Sequence, residues 1–354
     1  IRATELLLQE RIPRDIPAVT PRPEAVAVPD ISSALEMQRM ALITGTRQGP
    51  PVSHILSNGR YAVMLTANGG GYSHWGDLAL TRWQADPTRD ACGTQIWLRD
   101  LQDGRVHPVA GAPGADQREV QFFEDRIAVF RRTGTLSTVM DLLVSGEDDA
   151  EVRRVSISST SRRAREVELT SYAELVLTSP AAYEAHPAFA RMFVQTEYLP
   201  EFGAIIATRR PRAPEEPTVW VGHFLVVEGE LSAALEHETD RAAFIGRDND
   251  LPSAQAMASG GRLAGGVGTI LDPVFALRQR VRIAPGGTAR LAFWTVAAPT
   301  RAALLDLIDR HHDHNAFERA KTLAWTQAQV LLRDMGADTA LAAGFQRLTA
   351  PILY

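Results

Sequence analysis

A single cysteine, Cys92, in 354 residues excludes an intrachain disulfide framework and a cysteine-rich metal site. No apolar run approaches the roughly 20 residues that a membrane-spanning helix needs, and the N-terminus lacks the basic, apolar and small-residue order of a signal peptide. The chain therefore reads as soluble, with no membrane contact of its own. Basic charge is not in excess either: 37 Lys and Arg against 42 Asp and Glu leave −5, and no basic cluster is long enough to track phosphates. That argues against nucleic acid as a partner. There is no Gly-x-Ser-x-Gly elbow, no His-Glu-x-x-His and no Gly-Lys-Ser/Thr of a P-loop. Neither an internal repeat nor a low-complexity tract is present.

What the chain does hold is alternation. Short runs of alternating apolar and polar residues, punctuated by Gly, Pro and Asp, predict half-buried antiparallel strands. They fall at Tyr61–Thr66, Gln95–Arg99, Arg126–Phe130, Val152–Ile157, Glu166–Thr178 and Thr218–Val227. Leu277 to Ile283, with Arg278, Arg280 and Arg282 on the other face, is followed by Pro285-Gly286-Gly287 and Arg290 to Val296. This reads as a hairpin whose arginine face is solvated or paired with acids, with sugar or phosphate binding the minority reading. So many strands, with brief helical hints only near Ala182–Arg191, favour a large β-sandwich.

After Pro299 the period changes to that of helices. Arg301 to Asp313 carries Leu304, Leu305 and Ile308, and a second stripe runs through Phe317, Ala320, Ala324, Ala328, Leu331 and Met335. Asn315 with Glu318 predicts a capping box, Gly336 a stop, and Asp338 the cap of a third helix reaching Leu348. At the other end, Ala3 to Glu10 reads as the last turns of a helix, and the prolines of Arg11 to Asp30 as a linker. Both ends are expected to be cut from a longer protein. The expected layout is an upstream helix end and linker over 1–30, the sandwich over 31–300, and helical linkers over 301–354.

The loop Asn68-Gly69-Gly70-Gly71-Tyr72-Ser73-His74-Trp75 is the most unusual feature, because three successive glycines predict a close approach to the backbone. A structural bend between sandwich strands and a loop presented toward sugar or a neighbouring domain are equally compatible with it. Tyr72, Trp75, Arg82 and Trp83 supply the aromatic faces and planar polar groups that a pyranose needs, although aromatics in strands are more often core. Trp97, Trp220, Trp294 and Trp325 read as core or interdomain packing. His311-His312-Asp313-His314 is read as a polar helix end in preference to a metal site, since only His311 and His314 have ligand spacing on one helical face. Glu236-His237-Glu238-Thr239-Asp240 is read as a solvated acidic turn.

Several of these segments together resemble a known family. They are Leu56-Ser57-Asn58-Gly59-Arg60-Tyr61, the glycine loop, Thr81-Arg82-Trp83, Asp86-Pro87-Thr88-Arg89-Asp90 and Leu98-Arg99-Asp100. They resemble the N-terminal domain of cellobiose and chitobiose phosphorylases. Leu271-Asp272-Pro273-Val274-Phe275-Ala276-Leu277, Ala292-Phe293-Trp294-Thr295 and the segment from Phe317 to Gln329 are similar to cyclic β-1,2-glucan synthases. The resemblance implies a mainly β fold, a large antiparallel supersandwich like galactose mutarotase, followed by linker helices that lead to an (α/α)6 barrel. It also implies that the acid protonating the glycosidic oxygen belongs to that barrel, with inorganic phosphate as co-substrate and no other cofactor.

No catalytic residue is therefore carried onto this chain. Expected partners are β-1,2-glucan, the barrel of the same parent and a second copy in a homodimer. The parent is expected in the bacterial inner membrane with its active sites on the cytoplasmic side. The leading expectation is a non-catalytic carbohydrate-binding or supporting domain in which Tyr72, Trp75, Arg82 and Trp83 contact sugar and Gly69, Gly70 and Gly71 form the loop backbone. The rival is a structural docking module. Anomer interconversion in the sandwich cleft ranks third, since fold does not imply function.

Overall fold

In a computed structural model of the chain, residues 39–44, 51–86, 88–111, 115–211, 213, 216–258 and 261–354 are described. The expected helix end and proline-rich linker of residues 1–30 lie outside them. The strands are β1 (Ala41–Thr44), β2 (Ser53–Ser57), β3 (Tyr61–Thr66), β4 (Gly71–Trp75), β5 (Leu78–Thr81), β6 (Gln95–Asp100) and β7 (Val106–Pro108). There follow β8 (Gln117–Phe122), β9 (Arg126–Thr133), β10 (Leu136–Val144), β11 (Ala150–Ser159), β12 (Arg165–Thr178), β13 (Val194–Leu199) and β14 (Ala204–Arg209). The last are β15 (Trp220–Glu228), β16 (Glu230–Leu231), β17 (Glu236–Asp240), β18 (Gly268–Thr269), β19 (Pro273–Ile283) and β20 (Thr288–Ala298).

One ten-stranded sheet has the order β1-β8-β9-β10-β11-β20-β15-β14-β13-β18. The other runs β16-β19-β12-β5-β4-β3-β2, with β17 on β19 and β6 and β7 extending from β12. The strand pairs are antiparallel, and the fold is the mainly β sandwich that the strand pattern predicts and the supersandwich that the resemblance implies. One continuous core, including Tyr61, Val63, Leu80, Ile127, Leu142, Leu169 and Phe293, fills the space between the sheets. Alternation produces this burial, since successive side chains in a strand face opposite sides.

The expected hairpin at Pro285-Gly286-Gly287 is not one. β19 pairs with β12, β17 and β16, whereas β20 pairs with β11 and β15, so the turn carries the chain from one sheet to the other. Val281 and Ile283 of β19 and Leu291 and Phe293 of β20 share the core. The two strands meet by their apolar faces and not by their edges. The neighbour strand explains the choice: on β12, Glu166 stands opposite Arg282 and Glu168 opposite Arg280, a cross-strand charge ladder that β20 could not supply, and Thr170 opposite Arg278 accepts from its Nε.

The acidic segment at Glu236 is likewise strand β17 and no solvated turn. Glu238 is 1% exposed and accepts from the amides of Thr239, Asp240 and Ala264. Arg278, also 1% exposed, lies 3.4 Å from Glu168 and 3.6 Å from Glu236, so the arginine face is paired. Arg278 and Arg99 further donate to the carbonyls of Ala256, Met257, Ala258 and Gly261, which fastens these residues to the sheet.

Short helices α1 (Pro180–Ala185) and α2 (Pro187–Arg191) follow β12, and α3 (Arg241–Ile245) follows β17, capped by Asp240. Beyond the sandwich lie α4 (Arg301–His311), α5 (Ala316–Asp334), α6 (Thr339–Arg347) and α7 (Thr349–Leu353). Leu304, Ile308, Phe317 and Ala320 bury their stripe against the outer face of the first sheet, with Phe224 and Trp294. Asp338 caps α6 through the Leu341 amide at 2.8 Å, and Gly336 ends α5 with φ +62°. Asn315 does not form the expected capping box: its backbone is already helical and its side chain caps nothing. At the end of α4 two histidines pack inward, His311 stacked on Trp294 at 4.3 Å and bonded to Asp148 at 3.0 Å and His312 stacked on Phe224 at 4.8 Å, while His314 is exposed.

Candidate functional site

The three glycines are turned inward. A Cβ at Gly69 would lie 2.7 Å from the Ala110 side chain, one at Gly70 2.8 Å from Asp90, and one at Gly71 would overlap the Met64 carbonyl. The close approach is thus made by this chain's own loops. Asp90 fixes it from the side, accepting from Thr66 Oγ1 at 2.8 Å and Asn68 Nδ2 at 3.0 Å.

Strand alternation along β4 then separates the aromatic candidates. Trp75 shares the inner face with Ser73, packs against the core and donates its indole N–H to Asp149 at 2.8 Å. Tyr72 lies on the opposite face with His74, and its ring meets Trp83 edge-on at 5.6 Å. Trp83 in turn meets Tyr354 at 5.9 Å. Burial against this cluster raises the Tyr354 phenol to about 12. Tyr72 and Trp83 are therefore brought together, and Trp75 is held apart.

Arg82, directly after β5, lies beside Glu174 of β12: its backbone N–H donates to the Glu174 carbonyl and its Nη1 to Oε2, both at 2.9 Å. Arg241, at the start of α3, reaches the same carboxylate from the other side, Nε to Oε1 at 3.0 Å, and Tyr172 Oη donates to Oε1 at 3.2 Å. Burial alone would raise the Glu174 carboxyl, but hydrogen bonds and charge from Arg82 and Arg241 outweigh it and hold the group below its usual range. Glu174 is thus kept ionised, which suits orienting work and not proton donation.

This bridge separates two recesses. One of about 270 Å³ is lined by Arg82, Arg89, Cys92, Glu174, Arg241 and Asp250. The other, about 630 Å³, is lined by Arg82, Trp83, Tyr183, Arg191, Arg241 and Asp272, with an Arg191–Asp272 ion pair of 2.6 Å on its wall. Sequence reading missed Glu174, Tyr183, Arg191, Arg241 and Asp272. Glu174 did carry a signal, being the one charged residue in the apolar run Leu169–Thr178. The other four become neighbours only through the strand pairing.

Residues 38–314 match the glycosyl hydrolase 94 supersandwich domain. The chain belongs to this family. The resemblance read from the motifs is thereby borne out, and the Arg82-Trp83 and glycine-loop segments are elements of a supersandwich. Over 358 aligned residues the supersandwich chain is 36% identical to the cyclic beta-(1,2)-glucan synthase NdvB of Rhizobium meliloti (strain 1021), covering 100% of this chain and 13% of that protein. A solabiose phosphorylase of Paenibacillus borealis is 26% identical over 153 residues, 43% of this chain and 19% of the relative. The chain therefore spans less than a fifth of the length of the curated relatives it matches. Among solved structures, a bacterial glucoamylase complexed with acarbose has a TM-score of 0.48 at 8% identity, covering 86% of this chain and 39% of its own. No helix among the described residues is long and apolar enough to cross a membrane.

Proposed function

We propose that this supersandwich is a carbohydrate-handling, non-catalytic domain that supports a glycoside phosphorylase-like unit acting on β-1,2-glucan. The observation that carries the reading is the larger recess, where Trp83 and Tyr183 stand with Arg82, Arg191, Arg241 and Asp272. Aromatic faces offer apolar contact to the C–H face of a pyranose, while guanidinium and carboxylate groups pair with neighbouring hydroxyls. The β-1,2 linkage comes from the similarity to the glucan synthase. In this reading Tyr72 backs Trp83, and Trp75 and the glycines shape the loop beneath them. Phosphorolysis, with inorganic phosphate as the nucleophile, belongs to a barrel of the same parent, anchored in the inner membrane with its active sites on the cytoplasmic side.

Calorimetric titration of the chain with linear β-1,2-glucooligosaccharides, with β-1,4 oligomers as control, tests the reading. Saturable binding selective for the β-1,2 series supports it. No heat of binding at millimolar sugar contradicts an autonomous sugar site.

A second reading, docking without sugar, is favoured by one feature. The α5 stripe is buried only as far as Ala324, and Leu331 and Met335 are 54% and 62% exposed, as are Phe345 (59%) and Ile352 (76%) further on. An apolar helical face of this kind suits burial against the barrel or a second copy. Sedimentation of the chain alone and with separately expressed barrel distinguishes the two readings: docking requires a complex or a dimer, and a monomer indifferent to barrel contradicts it.

A further inference from the structure

We propose that Glu174 is a positioning residue for a neutral, polyhydroxylated ligand, holding Arg82 and Arg241 as two fixed arms across the cleft; this rests on the sugar-handling reading above. A carboxylate in the middle strand of a sheet is costly unless paired. Its side chain is 16% exposed, and its two oxygens are taken by Arg82, Arg241 and Tyr172.

The arginines, by contrast, are only partly used. Each guanidinium has five N–H donors in a planar fork, and each gives one to Glu174. Their side chains are 34% and 37% exposed, and both line both recesses. A shared carboxylate fixes their separation and cancels part of the repulsion between two like charges. Two pre-aimed donor forks therefore remain for acceptors in the cleft, with little side-chain entropy left to lose on binding.

The charge around them decides the ligand class. Together the recesses carry four arginines against five carboxylates. A near-balanced wall gives a multiply charged anion no net attraction. Hydroxyls suit it, because they accept from guanidinium and donate to carboxylate.

The test is a double-mutant cycle read by calorimetry with linear β-1,2-glucooligosaccharide: wild type, Arg82→Ala, Glu174→Gln and the pair, each with its thermal midpoint. Glu174→Gln is expected to weaken binding roughly tenfold or more, the range of a charge-assisted bond. In the Arg82→Ala background Glu174→Gln should cost less than it does in wild type, since the share that runs through Arg82 is already gone and only the hold on Arg241 remains. Losses that multiply in full overturn the assignment, as does unchanged affinity in Glu174→Gln.

Should Glu174→Gln fail to fold, Arg82→Lys and Arg241→Lys keep the charge but remove the fork. Lost affinity at an unchanged midpoint then supports the clamp, and retained affinity overturns it. Inorganic phosphate is the second probe, and its displacement of the sugar at millimolar concentration contradicts a neutral ligand. Wild type that binds no sugar overturns the sugar-handling reading and this assignment with it, an outcome distinct from wild type that binds while Glu174→Gln binds equally well.

Discussion

Gln346 hydrogen-bonds both backbone groups of Ile55: the Ile55 N–H donates to Oε1 at 2.9 Å, and Nε2 donates to the Ile55 carbonyl at 2.8 Å. β2 is the last strand of its sheet's path. The side-chain amide of a C-terminal helix thus supplies what a further strand would, and closes an edge that would otherwise be open to pairing.

Replacing that amide should free the edge. Gln346→Ala is expected to cost about 1–3 kcal/mol, the net value of two hydrogen bonds with one partner group of each left bare. Hydrogen exchange at the Ile55 amide should speed up at the same time. Unchanged exchange there would show that the α6 contact contributes no protection to the edge.

The charge cluster beneath Ala256, Met257 and Gly261 predicts a larger effect. Glu168, 1% exposed, faces Arg99 and Arg278 at 3.4 Å each and Arg280 at 2.8 Å. Removing it leaves buried cations without their shared anion, so Glu168→Ala should destabilise by about 3–5 kcal/mol. Urea midpoints measure this. Loss of less than about 1 kcal/mol would mean that the arginines are satisfied by the loop carbonyls alone.

Gly70→Ala tests the inward glycine loop. The added methyl would sit 2.8 Å from backbone and side-chain atoms of Asp90, within the clasp formed with Thr66 and Asn68. Overpacking of this kind costs about 1–3 kcal/mol. Thermal midpoints of Gly70→Ala against wild type check it, and an unchanged midpoint contradicts the inward placement.

Acid stability follows from three buried histidines. Burial pulls His54 and His107 down to about 4 and His223 to about 3, so all are neutral in the fold while an unfolded chain protonates them near 6.5. The unfolded state then binds more protons, so stability is full above pH 6.5 and falls as pH drops toward 4, by up to about 1.4 kcal/mol per pH unit per histidine. Asp148 acts lower down. The His311 hydrogen bond holds its carboxyl below the usual aspartate range, so its contribution is present above the aspartate pKa of an unfolded chain, about 3.9, and is lost as pH falls further. Urea midpoints should hold from pH 7.5 to about 6.5 and decline from there to 4.5, and a flat profile throughout would contradict neutral burial.

Much of this architecture was legible because it rests on local periodicity. Tyr61–Thr66 is β3 as read, and the helical stripe through Phe317 and Ala320 lies on the sandwich. The hairpin failed because alternation tells which side chains face inward, not which strand lies alongside; β19 and β20 satisfy the same pattern across the core. The cleft was legible only in part. Arg82 and Trp83 stand in a motif, but Glu174 lies 92 residues from Arg82 and 67 from Arg241, and only sheet pairing joins them. Trp75 was grouped with them by proximity in sequence, and the two-residue repeat of β4 sends it to the other face.

The most direct test of the account is hydrogen exchange of the chain with and without saturating linear β-1,2-glucooligosaccharide. Protection confined to residues 82–86, 89–93, 172–174, 183–191, 241–251 and 272 is the expected result, since those residues line the two recesses. Protection on the helices after residue 330, or none anywhere, would contradict a sugar site at Trp83.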